Sequence, residues 1–375
     1  MCFRCVITSS AKRSPPGHAT TARFIGSEYG MIQDPSFAIS RVVFIVSFFL
    51  RCDNRPIASR ADRRYTDRMR MILTGTGTSH GVPAISCHCS VCTSLDPKDK
   101  RFRCSAYISH RNADGRETHI VIDTGPEFRM QALAYHIDSL DAVLLTHAHA
   151  DHIAGLDDLR IYSHTKSEGA FRGTHRAETD ESPGAGLPVY ADENTISGIQ
   201  KRFDYIFKPT QIGGGKPKLH LINASRFSGK KPLYIGEVRA IPIPMFHGEL
   251  ETTGWLLSVR DGALFRSIAY LTDCSRIPES SIETLVAYGG IIEHAVIDGL
   301  REKPHATHFS YFQAMESAAL IRPHRTWLTH MSHNMSHADI TRYCIRRTED
   351  LPVLSEIVKA GGSVLPAYDG LVLDV

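Results

Sequence analysis

Six consecutive residues, His147-Ala-His149-Ala-Asp151-His152, carry four side chains of the kinds that bind zinc, manganese or iron. In extended chain two residues that are two positions apart point the same way. His147 and His149 can therefore grip one ion while Asp151 and His152 turn toward a second. Paired ions about 3.5–4 Å apart usually share a carboxylate or a hydroxide, so more ligands must arrive from distant chain. His247, Asp273 and His330 are suited to this, because each lies just past an apolar run (241–246, 269–272 and 327–329). A second constellation, Cys87, Cys89 and Cys92, places three thiols in six positions, one ligand short of a tetrahedral structural zinc. His333, three residues after His330, can supply the fourth. Cys104, His88 and His80 compete, although residues 102–106 read as the start of a strand and Cys104 as a core thiol.

Such residues need elements that deliver them to one place. The segment after Met71 runs into the glycine-rich loop 75–81, and 106–108 and 119–123 read as strands around the turn signal Asp114-Gly115. The apolar run 141–145 predicts a buried strand that ends at the histidine loop. Further strands are predicted at 188–191, 237–242, 254–259, 267–272, 295–297 and 326–329. Helices are predicted at 126–135, 193–203, 280–288, 310–320 and 337–347. Asp157, Asp158 and Arg160 follow the histidine loop on helical chain, where solvated or capping roles are the default. Strands in clusters with helices between them predict an α/β (α+β) class with a large mixed sheet system. The stretch 168–186 reads as a polar loop.

The chain has 375 residues, 42% hydrophobic and 22% charged, which excludes collagen, a long coiled coil and a mostly disordered chain. Its net charge of +3 divides unevenly. Residues 1–70 hold 12 Lys and Arg against 5 Asp and Glu, and the remainder holds 31 against 35, so the body carries −4. The basic excess belongs to the N-terminal tail, whose apolar run 42–50 is far shorter than the roughly 20 residues that span a bilayer. Its arginine-rich, acid-poor composition suits an organelle transit peptide, and upstream sequence before a true start at Met69 or Met71 suits it better. Residues 1–70 are thus read as an extension, and a truncation starting at Met71 is expected to keep metals and activity. The Cys2/Cys5 pair in that tail is read as chance. Nine cysteines, three of them clustered, fit a metal site in a reducing, cytoplasmic setting better than a disulfide framework.

His-x-His-x-Asp-His at 147–152, followed by the lone His247, Asp273 and His330, resembles the metallo-β-lactamase superfamily. The resemblance covers roughly residues 71–375. It implies a four-layer αββα sandwich with His147, His149 and His247 on one metal and Asp151, His152 and His330 on the other. Asp273 would bridge the two metals, and a metal-bridging hydroxide, steadied by Asp151 and Asp273, would be the nucleophile. Gly75-Thr-Gly-Thr-Ser-His-Gly-Val-Pro83, the cysteine trio and Arg103-Cys-Ser-Ala106 further resemble the PhnP-like branch. That branch's namesake opens 5-phosphoribosyl 1,2-cyclic phosphate. This second resemblance implies a structural zinc on Cys87, Cys89, Cys92 and His333, and a general acid at His308, with His305 as the near rival.

The expected function is a phosphodiesterase on a small cyclic phosphate, using two divalent ions (zinc, manganese or iron) and one structural zinc. A lactonase or thioesterase of the same fold is the rival among hydrolases, and a cofactor-biosynthesis or metal-carrier protein the rival outside them. An RNA-processing nuclease needs a basic gripping surface, which a body of net −4 argues against. The expected partner is a small-molecule phosphate ester, with no nucleic acid and no membrane, and a homodimer is left open. Arg129, Arg301 and Lys303 are candidates for binding a substrate phosphate, and Asp298 for supporting the ligands from behind.

Overall fold

The computed structural model describes residues 68–112, 114–163, 186–208 and 215–375. The readings made on the tail through residue 67 and on the polar loop through residue 185 lie outside these residues. Residues Tyr65–Val375 form one compact unit.

The described strands form two seven-stranded sheets. In chain order they are β1 Met69–Gly75, β2 Ser105–Arg111, β3 Glu117–Ile122, β4 Ala142–Leu144, β5 Leu187–Ala191, β6 Leu219–Asn223, β7 Leu233–Ile235, β8 Val238–His247, β9 Leu250–Asp261, β10 Leu264–Leu271, β11 Ile291–Asp298, β12 Arg325–Thr329, β13 Ser363–Pro366 and β14 Leu371–Asp374. The first sheet runs β14-β1-β2-β3-β4-β5-β6 and the second β13-β12-β11-β10-β9-β8-β7. Both are mixed: β3 to β6 and β10 to β13 pair in parallel, and the other neighbours are antiparallel. Parallel strands covered on both faces read as continuous apolar runs, and β4 is buried at all three positions. Edge strand β14 instead alternates buried and exposed.

Between the sheets lies one apolar layer, with Met71, Ile108, Ile120 and Ile122 facing Trp255, Leu257, Tyr270 and Val296. The outer face of the second sheet packs on the helices Glu279–Gly289, Tyr311–Ile321, His337–Thr348 and Pro352–Lys359. The outer face of the first packs on helices Phe128–Ala134 and Glu193–Arg202 and the short helical turns between Ala150 and Ser163. This is the expected αββα sandwich. The expected start at Met71 falls inside β1. Met69 is fully buried, pairs with His110 and exchanges two backbone hydrogen bonds with Val375, both 2.9 Å.

The strand directions matter most for the site. The C-terminal ends of β3 and β4 share one edge of the first sheet, and those of β8, β10, β11 and β12 share one edge of the second. Two bonds join the sheets at that edge. Fully buried Trp255 donates its indole N–H to Leu145 O (3.2 Å), and Thr253 donates its backbone N–H to Thr146 O (2.8 Å).

Candidate metal centre

Asp123, Asp273 and His330 follow the ends of β3, β10 and β12, and all three have left-handed backbone, with φ of 58°, 54° and 58°. In non-glycine residues this costs on the order of 1–3 kcal/mol each and tends to cluster at functional sites. The turn it makes swings each side chain off its sheet edge into the same buried space. His147 and His149 come from the loop after β4, Asp151 and His152 from the turn that follows, and His247 ends β8.

Hydrogen bonds select which ring nitrogen faces inward. His152 donates Nδ1–H to Asp123 (2.7 Å), His247 donates Nδ1–H to Thr307 O (2.6 Å), and His147 Nδ1 lies 3.0 Å from Thr146 Oγ1. Their Nε2 atoms are left as free ligands, which is the arrangement seen when a partner behind a histidine fixes its tautomer for a metal. His147 Nε2 lies 2.9 Å from His149 Nδ1. His152 Nε2 and His330 Nε2 each lie 3.1 Å from an oxygen of Asp273, and Asp151 is 3.3 Å from His152. Two ligands of one zinc, each about 2.0–2.2 Å from it at angles near 90–109°, stand roughly 3.0–3.4 Å apart. His152 Nε2 and both ring nitrogens of His330 are buried, and the two Nε2 atoms meet Asp273 at ion-pair distance without an aligned hydrogen bond. Buried nitrogens facing carboxylates at ligand-to-ligand spacing fit a divalent cation. Asp273 is common to two convergent groups, one with Asp151, His152 and His330 and one with His247 and His308.

The electrostatics divide the histidines. Burial pushes His147 well below the ordinary imidazole range, and it lowers His149 and His247 as well. Burial also opposes charge on His152 and His330, but Asp273 and the other nearby carboxylates outweigh it and raise both well above that range. Asp151 and Asp273 are likewise penalised by burial, yet His152 and His330 hold both far below the usual carboxylate range.

His308 sits over the same space. Its ring is 4.4 Å from that of His247 and stacks at 4.6 Å on that of His330. It donates Nδ1–H to Asp298 (2.8 Å), the fully buried end of β11, which also accepts the Cys274 N–H (2.8 Å). The segment carrying His308 is pinned by Phe309 N–H to Cys274 O (2.8 Å) and by the Ser310–Gln313 capping box. His305 is exposed and holds its nitrogen near Thr307.

The second constellation also converges. The sulfurs of Cys87, Cys89 and Cys92 lie 3.3, 3.4 and 3.5 Å from His333 Nδ1, close to the roughly 3.5 Å that tetrahedral Zn–S and Zn–N bonds would impose. The Cys92 N–H pulls the Cys89 thiol down to about 6, and burial pushes Cys92 up to about 11. Cys104 stands apart, buried against Thr329 Oγ1 (3.4 Å). The ring of His80 meets that of His333 edge-on at 5.5 Å, and His88 is outside the cluster. Behind the cluster, buried Arg101 donates to Ser332 O (2.8 Å) and pairs with Asp99 (3.4 Å).

These loops are also the ones that match known proteins. A sequence model described as "Beta-lactamase superfamily domain" matches residues 118–331. The chain belongs to the β-lactamase superfamily. Within this superfamily it is similar to a crystal structure titled as a new diphosphatase from the PhnP family. The two share 34% identity and a TM-score of 0.61 over 82% of this chain and 97% of the other, so the chain is PhnP-like. It is 35% identical over 304 residues to a Porphyromonas gingivalis protein named octanoyltransferase, covering 81% of this chain and 51% of that protein. The chain thus spans about half the length of that relative. A Methylobacterium protein named coenzyme PQQ synthesis protein B is 26% identical over 220 residues, covering 56% of this chain and 67% of the other.

Asp123, Thr146 and Thr307 were not singled out from the sequence. Asp123 had the same signature as Asp273, an acid ending an apolar strand, whereas the Thr307 carbonyl has no sequence signature. Of the candidate cations, Arg301 braces its own loop through the carbonyls of Lys303 and Pro304 (3.2 and 3.1 Å). Arg129 lines a separate groove with Phe128, Leu133 and Ile161. Asp157 serves Tyr205 (2.6 Å) and Arg160 (3.1 Å) rather than the centre. Among the described residues no helix is long and apolar enough to cross a membrane.

Proposed function

We propose that this chain is a dinuclear-metal phosphodiesterase that hydrolyses a small cyclic or diester phosphate. One ion would be held by His147, His149 and His247 and the other by Asp151, His152 and His330, with Asp273 shared. Two divalent ions in such a centre supply Lewis acidity and a water ionised near neutral pH. Zinc, manganese and iron all suit these donors. A structural zinc would be held by Cys87, Cys89, Cys92 and His333. The six described cysteines are unpaired, which supports a reducing, cytoplasmic setting.

The observation that carries the reading is the Asp298–His308 pair. Asp298 binds His308 Nδ1 and so orients the ring above the ligands, which makes Nε2 the atom that would deliver a proton. A departing alkoxide needs that proton, whereas a thiolate, with a thiol pKa of about 8.5, leaves unaided. This favours an alcohol leaving group over a thioester, and the similarity to a PhnP-family diphosphatase favours phosphorus over a lactone carbonyl. In the proposed cycle water adds to phosphorus, the P–O bond to the leaving oxygen breaks, and His308 protonates that oxygen, giving a monoester and an alcohol. A metal-carrier role leaves the Asp298–His308 pair without a task. The names octanoyltransferase and PQQ synthesis protein B belong to longer or more distant relatives.

The test is metal analysis of protein purified without added metal, with a panel of phosphodiesters, lactones and thioesters. Two ions at the His/Asp centre plus one zinc, with ribose cyclic phosphate turned over in preference to lactones and thioesters, is the expected result. Preferred turnover of a lactone or thioester would overturn the reading.

A further inference from the structure

Strand β8 ends at His247 and carries Arg239 near its start. At about 3.3 Å per residue this arginine stands roughly 26 Å from the metal centre, at the opposite end of the second sheet. It is only 6% exposed. Strand register sets Tyr234, Arg239, Ser258 and Ser267 in one row across β7 to β10, with Arg260 and Phe265 paired in the next row on the same face. The Arg239 guanidinium carbon lies 3.5 Å from the centre of the Phe265 ring, and that of Arg260 lies 4.9 Å from the same ring. Two like charges thus share one aromatic side chain. Arg239 donates through Nη2 to Ser258 Oγ (3.1 Å) and to the carbonyl of Tyr288, in the last turn of helix Glu279–Gly289. A guanidinium has five N–H donors. Three of those on Arg239, one on buried Nε and two on Nη1, have no acceptor among the described residues.

A hydroxyl and a carbonyl offer partial charges, and the acids of the neighbouring strands are taken. Asp261 pairs with Arg266 (2.6 Å), Glu293 with Arg325 (2.7 Å) and Glu237 with His110 (3.5 Å). Burial pulls the Arg239 guanidinium below the ordinary arginine range; Tyr234 opposes the pull and Arg260 adds to it. A buried cation without a full counter-charge is unfavourable, and a bound anion would supply one. The turn 228–231 closes over this end, where a Cβ at Gly229 would stand 2.2 Å from Tyr288 Cδ2, and it brings the exposed Lys230 and Lys231.

We infer that Arg239 and Arg260 form an anion site for inorganic phosphate or a small phosphate monoester, separate from the metal centre. Ser258, Tyr288 and Phe265 hold Arg239 in place before the ligand arrives, so little side-chain freedom is lost on binding. Its Nη1 donors meet phosphate oxygens from the floor, and the exposed Arg260 meets them from the rim. Two guanidiniums and two nearby ammoniums suit a dianion better than a carboxylate. The distance from the centre keeps this anion apart from any ester being cleaved, so the site stands whatever reaction the metals perform.

Inorganic phosphate and methyl phosphate are titrated by calorimetry into the metal-loaded full chain, as wild type, Arg260→Gln and Arg260→Lys. The metal centre can also take phosphate, so each titration is repeated with Asp273→Ala added, where the remote binding event should survive. Loss of hydrogen bonds to a charged group predicts that Arg260→Gln weakens that event about 10- to 100-fold, with partial recovery in Arg260→Lys. In the background that keeps Asp273, Arg260→Gln should leave metal content and turnover of bis(p-nitrophenyl) phosphate within about two-fold of wild type. Arg239→Gln should abolish the event too, but because that side chain is buried, exposed Arg260 is the deciding position. Tighter binding of inorganic phosphate than of methyl phosphate assigns the site to the free ion, and the reverse assigns it to an ester-borne group. No event beyond the metal centre, one unchanged in Arg260→Gln, or one that acetate displaces as well as phosphate does would overturn the site and leave the two arginines as a stacked brace of the strand ends.

Discussion

Loading the His/Asp centre should release about two protons at neutral pH. Without metal, burial disfavours charge on His152 and His330, but Asp273 and its neighbours prevail and keep both imidazoles protonated well above their ordinary range. The centre therefore folds as imidazolium–carboxylate pairs, and a divalent ion coordinates only neutral imidazole. Between about pH 6.5 and the raised values, each displaced proton strengthens binding about tenfold per pH unit. Two protons make that about 100-fold, or about 2.7 kcal/mol per unit. The assay is calorimetric titration of manganese into protein whose thiolate site already holds zinc, because manganese prefers oxygen and imidazole donors. Repeating it in buffers of different ionisation enthalpy gives the proton count. Heats that do not change with the buffer would refute the argument. The same shifts have a sign for stability without metal. The histidines' contribution is fully present below about pH 6.5 and lost as pH rises through their raised values, so the metal-free Tm should fall as pH rises above about 6.5.

Three further outcomes follow from single contacts. Asp298→Asn should lower kcat about 10²- to 10⁴-fold on diesters with an alkoxide leaving group. It should change turnover of bis(p-nitrophenyl) phosphate far less, with ion content unchanged by metal analysis; equal losses on both substrates would refute the acid role. His333→Ala should reduce zinc content by one ion and expose Cys87, Cys89 and Cys92 to a thiol reagent, with a lower Tm. A chain starting at Arg68 should match the full chain in Tm and metal content. One starting at Met71 should lose on the order of 2–5 kcal/mol, measured by denaturant titration, because it removes the fully buried Met69 side chain and its two bonds to Val375.

The sequence alone determined the features that are local in the chain. His147, His149, Asp151 and His152 lie within six residues, so their spacing alone states a metal-binding pattern. His247, Asp273 and His330 were visible because each ends an apolar run, and a strand end at a sheet rim is where a ligand can turn inward. The alternation of strands and helices was legible from apolar periodicity, down to the predicted and observed strand ends at 191 and 329. Only the tertiary structure decided what depends on residues far apart in sequence. It brought Asp123 behind His152, Thr307 O behind His247 and Asp298 behind His308. It also made Met69 a core residue through its pairing with a chain end more than 300 residues away. Arg239 has the least sequence signal of all, an ordinary basic residue near the start of a strand. Its seat on Phe265 beside Arg260 arises from the register of β8, β9 and β10, a pairing relation with no local signature.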